Sequence, residues 1–428
     1  MKESIVPASG GFAARLPRTA RGLAALGRRA LLARLTGLER GQLTIAEPDG
    51  RHVFGRPGAG DEPTADIEVL DPQFWVDTAF GGSVGAGESY IRGHWRSADL
   101  TALVRLMIRN RALLGGLEGG LAQASGPLRR LLHWVNRNTR SGSRRNIAAH
   151  YDLGNDFFRL MLDPTLAYSC GIYPTPTSTL HEAQLAKFDA ICRKLELRPS
   201  DELLEIGTGW GGLAIHAARH YGCRVTTTTI SREQHASASA AIAAAGLAGR
   251  VTLLLEDYRD LTGRYDKLVS VEIIEAVGAR FLDTYFACCS RLLKPDGAML
   301  LQAITLQDQY YEAALKSVDF IQHFVFPGSF LPSVTAIADA LCRSTDLKLF
   351  HLEDIGPHYA ATLRDWRRNV HARLPEVRAL GYPEEFLRLW DYYLCYCEGG
   401  FAERQIGDVQ VLLTKPLCRR GSLAGRAP

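Results

Sequence analysis

"DELLEIGTGWGG", Asp201 to Gly212, is the stretch on which the reading of this chain turns. Leu203, Leu204 and Ile206 form a short buried strand that runs into Gly207-Thr208-Gly209 and then into the helical "GGLAIHAARHYG". Strand, glycine turn and helix in that order open a doubly wound α/β unit, whose ligands bind beyond the carboxyl ends of the strands. Glycine at 207 and 209 lets the backbone turn sharply and approach a ligand with no Cβ in the way. Downstream, "CRVTTTTIS" is β-branched and predicts a strand, and "REQHASASAAIAAAG" predicts a helix closed by glycine. "RVTLLLEDY" and "YDKLVSVEII" read as strands, "ARFLDTYFACCSRLLKPDG" as a helix stopped by Pro-Asp-Gly, and "AMLLQAIT" as another strand. This alternation predicts an α/β fold with a doubly wound, Rossmann-like parallel sheet. "VTAIADALCRS", "LKLFHLEDI" and "DVQVLLTKP" extend it, the last as a candidate antiparallel strand.

The glycine loop has no Gly-Lys-Ser/Thr, so it is not a P-loop. A glycine loop followed by a strand ending in "EDY" suits S-adenosylmethionine, with the loop beside the amino-acid moiety and the next two strand tips beside ribose and adenine. One detail departs from that pattern. The second strand ends "TTTTISREQ", with no acid at its tip, so Thr229, Ile230 and Gln234 must serve the ribose.

The chain has 428 residues, 46% of them hydrophobic and 22% charged, enough for two or more domains with sizeable cores. No run of eighteen apolar residues predicts a membrane span, and no leader peptide is read at the N-terminus. Nine cysteines show no CxxC pair, which predicts reduced thiols and no metal site. Cys192, Cys223, Cys288, Cys289 and Cys342 read as small apolar fillers. The net charge of +4 is unevenly spread: residues 1–60 hold ten Arg/Lys against four acids, residues 61–100 two against eight, and residues 101–150 nine against one. Basic blocks of this kind either face solvent or meet an anionic surface, lipid or nucleic acid.

The N-terminal part, residues 1–145, reads as a smaller α+β domain. A basic helical arm carries Leu23, Leu26, Leu31 and Leu35. "RGQLTIAEPDGRHVFG" reads as a hairpin, followed by a further strand and a glycine-rich connection. "DLTALVRLMIRNRALL" reads as a helix with Leu103, Leu106, Met107 and Leu114 on one side and Arg105 and Arg109 on the other. The catalytic part is placed at 146–418, with a tail at 419–428.

Several ordered motifs carry a resemblance: "HYDLGNDFFRLMLDPTLAYSCGIY", "LLEIGTGWGG", "TISREQ", "VEIIEAVG", "FPGSFLPS", "GPHYAATLRDW" and "YCEGGFAERQ". Together they resemble the cyclopropane-fatty-acyl-phospholipid synthases, and "GESYIRGHWRSADLTALVRLMIRN" carries the likeness into the N-terminal part. The resemblance implies transfer of a methylene carbon from S-adenosylmethionine to a cis double bond in a phospholipid acyl chain. The alkene attacks the sulfonium methyl, and loss of a proton from the new methyl closes the ring. That chemistry needs alignment, a dry site and a base.

The resemblance further implies that the base is a bound bicarbonate ion held by Cys170, Glu275, Gln302, Ile304 and Tyr359, with Cys170 and Ile304 acting through their backbone. The family's usual residue at 302 is histidine, so glutamine is a departure; it can hold an anion but cannot be a base. Cys397 matches a position proposed as catalytic in the family, although the reaction needs no thiolate. The implied cofactor contacts are Tyr168, Ser169, Gly207, Gly209, Thr229, Ile230, Gln234 and Tyr258, with His150 and Tyr151 closing that side. Tyr151 and Phe158 could steady a cation through their π-faces.

Taken alone, Glu272 and Glu275 read equally well as surface acids at a strand end, and "LRDWRRNVHARL" as a structural helix. A lipid substrate turns the basic blocks into expected contacts with an anionic membrane, "HFVFPGSFLP" into a membrane loop or acyl-tunnel wall, and the protein into a cytoplasmic enzyme adsorbed to the membrane's inner face. A homodimer is possible and nucleic acid is not expected as a partner. The alternatives are a C-methyl or methylene fatty-acid or small-molecule methyltransferase, and an inactive lipid- or cofactor-binding homologue permitted by Gln302.

Overall fold

The structure is a computed structural model describing residues 18–58, 60–113 and 154–423. The chain divides into two compact units: residues 1–128 with 383–396, and residues 129–382 with 397–428. The expected boundary near 145, with His150, Tyr151 and Leu114, lies outside the described residues. Residues 383–396, which the sequence reading assigned to the catalytic part, group with the N-terminal unit.

The first unit contains α1 (Arg18–Leu35), β1 (Gln42–Glu47), β2 (Gly50–Gly55), β3 (Thr64–Val69), α2 (Gln73–Ile91), β4 (Trp95–Arg96) and α3 (Leu100–Arg109). β1 and β2 form the expected hairpin, β3 joins β1 in parallel, and the sheet order is β2-β1-β3-β4. The glycine-rich segment is not a connection but helix α2, with one break at Gly82. Packing overrides propensity here. Gly27 on α1 sits so close to α2 that an added Cβ would lie 2.6 Å from Trp75 O, so small residues are what let the two helices approach. Leu31 and Leu35 of α1 are buried, whereas Leu23 and Leu26 are exposed. On α3, Leu103 and Leu106 are buried as expected, and Asp99 caps the helix at Ala102 N. Arg105 and Arg109 both bond Asp61, so these two basic groups are paired within the unit.

The second unit continues with α4 (Asn155–Met161), α5 (Leu180–Leu195), β5 (Glu202–Ile206), α6 (Gly212–His220), β6 (Arg224–Thr228), α7 (Arg232–Ala244), β7 (Val251–Leu254) and β8 (Tyr265–Val271). It then has α8 (Leu282–Leu292), β9 (Leu293–Leu306), α9 (Asp308–Ala314), α10 (Phe320–Phe324), α11 (Val334–Ser344), β10 (Lys348–Asp354), α12 (Gly356–Ala372) and α13 (Leu374–Ala379). Helix α14 (Glu384–Ala402) belongs to both units by sequence, and β11 (Ile406–Thr414) closes the list of elements. The seven strands run β10-β11-β9-β8-β5-β6-β7. β5 to β9 run parallel to one another, and β11 enters antiparallel between β9 and β10, as its sequence allowed.

Apolar side chains from both faces fill two cores, one with Leu268, Phe286 and Leu301, the other with Leu203, Ala214 and Val269. Buried aliphatic carbon contributes roughly 25 cal/mol per Å² of area withdrawn from water. The expected tail begins too early at 419, because Arg420 lies over the Phe350 ring at 5.2 Å and donates to Lys194 O at 2.6 Å. All nine cysteines are free thiols, but Cys342 is exposed and Cys288 only half-buried, so neither is a core filler.

Candidate active site

The carboxyl ends of β5 and β6 build the cofactor side. Gly207 and Gly209 both have positive φ, +98° and +53°. A Cβ on Gly207 would lie 2.3 Å from Ile273 Cγ1, so this glycine is required by close packing, whereas the space at Gly209 is open. The loop is tied to the next strand tip by Gly207 N and Thr208 N, both donating to Thr228 O at 3.0 Å. Under the loop, Thr227 Oγ1 donates to Glu205 Oε2 at 2.6 Å, and burial pushes the Glu205 carboxyl up to about 8. Glu205 was not singled out in the sequence, although it stands in the quoted stretch.

Thr229 and Gln234 come together at the tip of β6, where Thr229 Oγ1 donates to Gln234 Oε1 at 2.9 Å. That leaves the Gln234 amide NH₂ as the donor for a hydroxyl ligand. Ile230 lies half-buried beside them. Tyr258 follows β7 and packs edge-on to Tyr285, ring centres 5.5 Å apart. Tyr168 sits between Phe158 and Trp366, at 5.3 and 5.1 Å. Ser169 is buried and already engaged: its Oγ accepts from Lys187 Nζ at 2.6 Å and its carbonyl from Gln184 Nε2 at 2.8 Å. An open, positive-φ glycine loop flanked by a hydroxyl-amide pair and an aromatic ring fits S-adenosylmethionine.

The neighbouring side of the sheet is acidic. β8 stops at Val271, earlier than its sequence predicted, because Glu272 takes a left-handed conformation, φ +51°. Its N–H donates to Gln302 O at 2.8 Å, and the chain then turns through Ile274–Ala276. The antiparallel register sets Gln302 of β9 opposite Gln410 of β11, and Ile304 opposite Asp408. Residues two apart on a strand share a face, so these four positions converge. Tyr359 arrives from the first turn of α12, which begins immediately after β10 with Pro357 in its first turn.

The residues expected to hold bicarbonate do gather here, but their donors point at the protein's own carboxylates. Glu272 Oε1 accepts from Cys170 N at 2.9 Å and from Gln302 Nε2 at 2.8 Å, and Oε2 accepts from Tyr359 Oη at 2.6 Å. Ile304 N donates to Glu275 Oε1 at 2.6 Å. The arrangement does not fit bicarbonate as an additional group, and that expectation is corrected. Gln302 is a holder, as its chemistry required: its second amide hydrogen reaches Asp408 Oδ2 at 3.1 Å, and its carbonyl accepts from Gln410 Nε2 at 3.0 Å.

Burial, then the neighbouring Glu272, push the Glu275 carboxyl up to about 8. Burial and Glu272 also push Asp408 well above the carboxylate range. Glu275 Oε2 and Asp408 Oδ1 find no donor among the described residues, while the Asp408 carboxyl as a whole is hydrogen-bonded to Glu272. Burial raises the Cys170 thiol, with Asp408 and Glu272 adding to it, so its contribution here is the backbone N–H. Cys397 is a half-buried thiol on α14, one turn before Phe401, whose ring stacks on Tyr359 at 4.3 Å. The "HFVFPGSFLP" segment packs against the acids, with Phe330 N donating to Glu275 O at 3.0 Å.

Residues 138–411 match the family model described as mycolic acid cyclopropane synthetase. The chain belongs to this family. It is 40% identical over 338 residues to tuberculostearic acid methyltransferase of Mycobacterium tuberculosis, covering 75% of this chain and 76% of that protein. It is 39% identical over 353 residues to cyclopropane-fatty-acyl-phospholipid synthase of Escherichia coli, covering 82% of this chain and 88% of the relative. Among solved structures, a mycolic acid cyclopropane synthase complexed with SAH and CTAB superposes with a TM-score of 0.60 at 32% identity, covering 64% of this chain and 98% of that one. This family member is therefore an enzyme with the S-adenosylmethionine-dependent methyltransferase fold.

Sequence reasoning missed Glu272 as the acid on which the donors converge, and also Asp408, Gln410 and Lys187. A signal existed for two of them: Asp408 and Gln410 are alternate polar residues in an otherwise apolar strand, "DVQVLLT".

Proposed function

We propose that this enzyme adds the methyl carbon of S-adenosylmethionine to the cis double bond of an unsaturated phospholipid acyl chain and closes it to a cyclopropane ring. The observation that carries this reading is a buried, hydrogen-bonded acid cluster directly behind a glycine loop, with Ile273 filling the space a Gly207 Cβ would need. S-adenosylmethionine, when bound, supplies the electrophilic methyl group. The chain's residues supply alignment, dryness and a proton acceptor. Phe158, Tyr168 and Trp366 form one aromatic wall and Tyr359 and Phe401 another, placing π-density rather than nucleophiles around a developing cation.

The relative named for tuberculostearic acid supports a second reading, in which the same first step ends, after loss of a proton, in a methyl- or methylene-branched unsaturated chain. Mass spectrometry of lipids from cells expressing the enzyme separates the two. A mass gain of one CH₂ that survives hydrogenation supports the ring, and a product that takes up hydrogen supports the methylene. No turnover of labelled S-adenosylmethionine with unsaturated vesicles would leave a binding protein and sink both.

We further propose that the phospholipid is reached from an anionic membrane at the cytoplasmic face. The six arginines between residues 129 and 145 support this. Vesicle sedimentation should show binding that weakens as salt shortens the Debye length from about 30 Å at 0.01 M to about 10 Å at 0.1 M. Equal binding to neutral and anionic vesicles would remove the electrostatic part.

A further inference from the structure

Three acids meet at the end of the sheet, and they are not equivalent. Asp408 is fully buried, and Glu275 Oε2 is sealed from solvent with no hydrogen-bond partner among the described residues. Glu272 is half-buried, as Glu275 is, but both of its oxygens act as acceptors. Three donors, Cys170 N, Gln302 Nε2 and Tyr359 Oη, converge on it, and the buried Asp408 carboxyl is a further hydrogen-bonding neighbour. The Glu272 backbone is in the left-handed region, which is unfavourable for a residue other than glycine. That strain persists because surrounding contacts hold it, a pattern typical of functional positions.

We propose that Glu272 is the general base of this enzyme, a tethered carboxylate standing where the resemblance had implied a free bicarbonate ion. The proposal rests on the alkene-methylation reading above. When the alkene has bonded to the methyl carbon, its other carbon is cationic. Glu272 takes a proton from the new methyl, and the C–H electron pair forms the second ring bond to the cationic carbon. The proton stays on Glu272 until the product leaves and water reaches it. Gln302 holds the base on one side and Tyr359 on the other, and Lys187, bonded to Ser169, is a buried cation that interacts with it electrostatically. Neutral Gln302 suits this role, because its two amide hydrogens reach Glu272 and Asp408 without adding a competing base.

The test uses the full-length enzyme, its Glu272→Gln and Glu272→Gly variants, labelled S-adenosylmethionine and unsaturated phospholipid vesicles, in CO₂-free buffer with and without bicarbonate. Wild-type turnover should be the same in both buffers. Glu272→Gln should lose about 10²-fold or more in both, within the usual range for a general base. Glu272→Gly, whose residue is suited to the left-handed backbone, should lose as much and then recover about tenfold or more when bicarbonate is supplied. Cofactor affinity by calorimetry should stay within about threefold for all three proteins, under 1 kcal/mol. Calorimetry with bicarbonate alone should give binding to Glu272→Gly and none to wild type. Wild-type activity that depends on bicarbonate overturns the proposal. So does a Glu272→Gln enzyme with near-normal turnover, or a dead Glu272→Gly enzyme that binds cofactor but is not rescued. If wild type modifies no unsaturated lipid while the bicarbonate-binding contrast holds, the alkene reading fails and the tethered carboxylate stands as the occupant of the anion site.

Discussion

The cofactor side and the acid side lie at the same end of one sheet, yet they are built differently. The cofactor side comes from consecutive segments, β5, its glycine loop, β6 and β7, all parallel. Its functional groups are backbone amides, hydroxyls and an aromatic ring. The acid side gathers Cys170, Glu272, Glu275, Gln302, Tyr359 and Asp408, which span more than half of the chain. It exists only because β11 slides in antiparallel beside β9 with Gln410 opposite Gln302. A local turn can present a ligand with hydrogen bonds, whereas a cluster of buried acids needs several distant donors to make it tolerable.

The largest effect should separate the two sides outright. Glu275→Ala removes the acceptor of Ile304 N and should lower turnover about 10²-fold, with cofactor affinity changed by less than about threefold. Equal losses in turnover and cofactor binding would mean that the two sides are not separable.

Gly207→Ala should do the reverse. It pushes a methyl against Ile273 and strains a left-handed backbone, lowering stability by about 2–4 kcal/mol and cofactor affinity by tenfold or more. Thermal unfolding and calorimetry check both, and an unchanged affinity would remove the loop from the cofactor site.

The pH response tests whether both sides hide a proton. Glu205 and Glu275 are each raised to about 8 when folded. Between their ordinary value and about 8, the native state holds protons that the unfolded state lacks. Their stabilising contribution is therefore complete at low pH and is lost as pH rises toward 8. Glu205→Gln should make the fall of stability with pH shallower in that window, by up to about 1.4 kcal/mol per pH unit. Denaturant titrations at pH 5.5, 6.5 and 7.5 measure it, and parallel curves for the two proteins would put the Glu205 carboxyl in the ionised state.

The smallest effect should come from Cys170→Ser. It keeps the N–H that reaches Glu272 and should cost less than about fivefold in turnover, under 1 kcal/mol. A well-folded but inactive serine variant would return the sulfur to the mechanism.

Much of the cofactor side was legible because each feature depends on neighbours in sequence: a strand that ends in glycine, a Ser231-capped helix, a β-branched run. Cys170, Gln302, Ile304, Tyr359 and Glu275 were also legible, through ordered motifs. What they gather around was not. Glu272 read as a strand residue or a surface acid until its φ of +51° turned its carboxylate toward Cys170 N. The glycine-rich stretch of α2 misled for a related reason: glycine is a poor helix former alone, and the packing of α2 on Gly27 of α1, through Trp75 and Ala79, joins residues far apart in the chain.

By itself the sequence determined the alternating α/β order, the glycine loop, the family and most of the residues at the site. These follow from periodicity, turn chemistry and local motif, which are written along the chain. Only the tertiary structure decided that the donors meet a carboxylate of the protein's own. The strand register of β11 and the left-handed turn at Glu272 are fixed by contacts between residues more than a hundred positions apart, and no local pattern encodes which acid they will enclose.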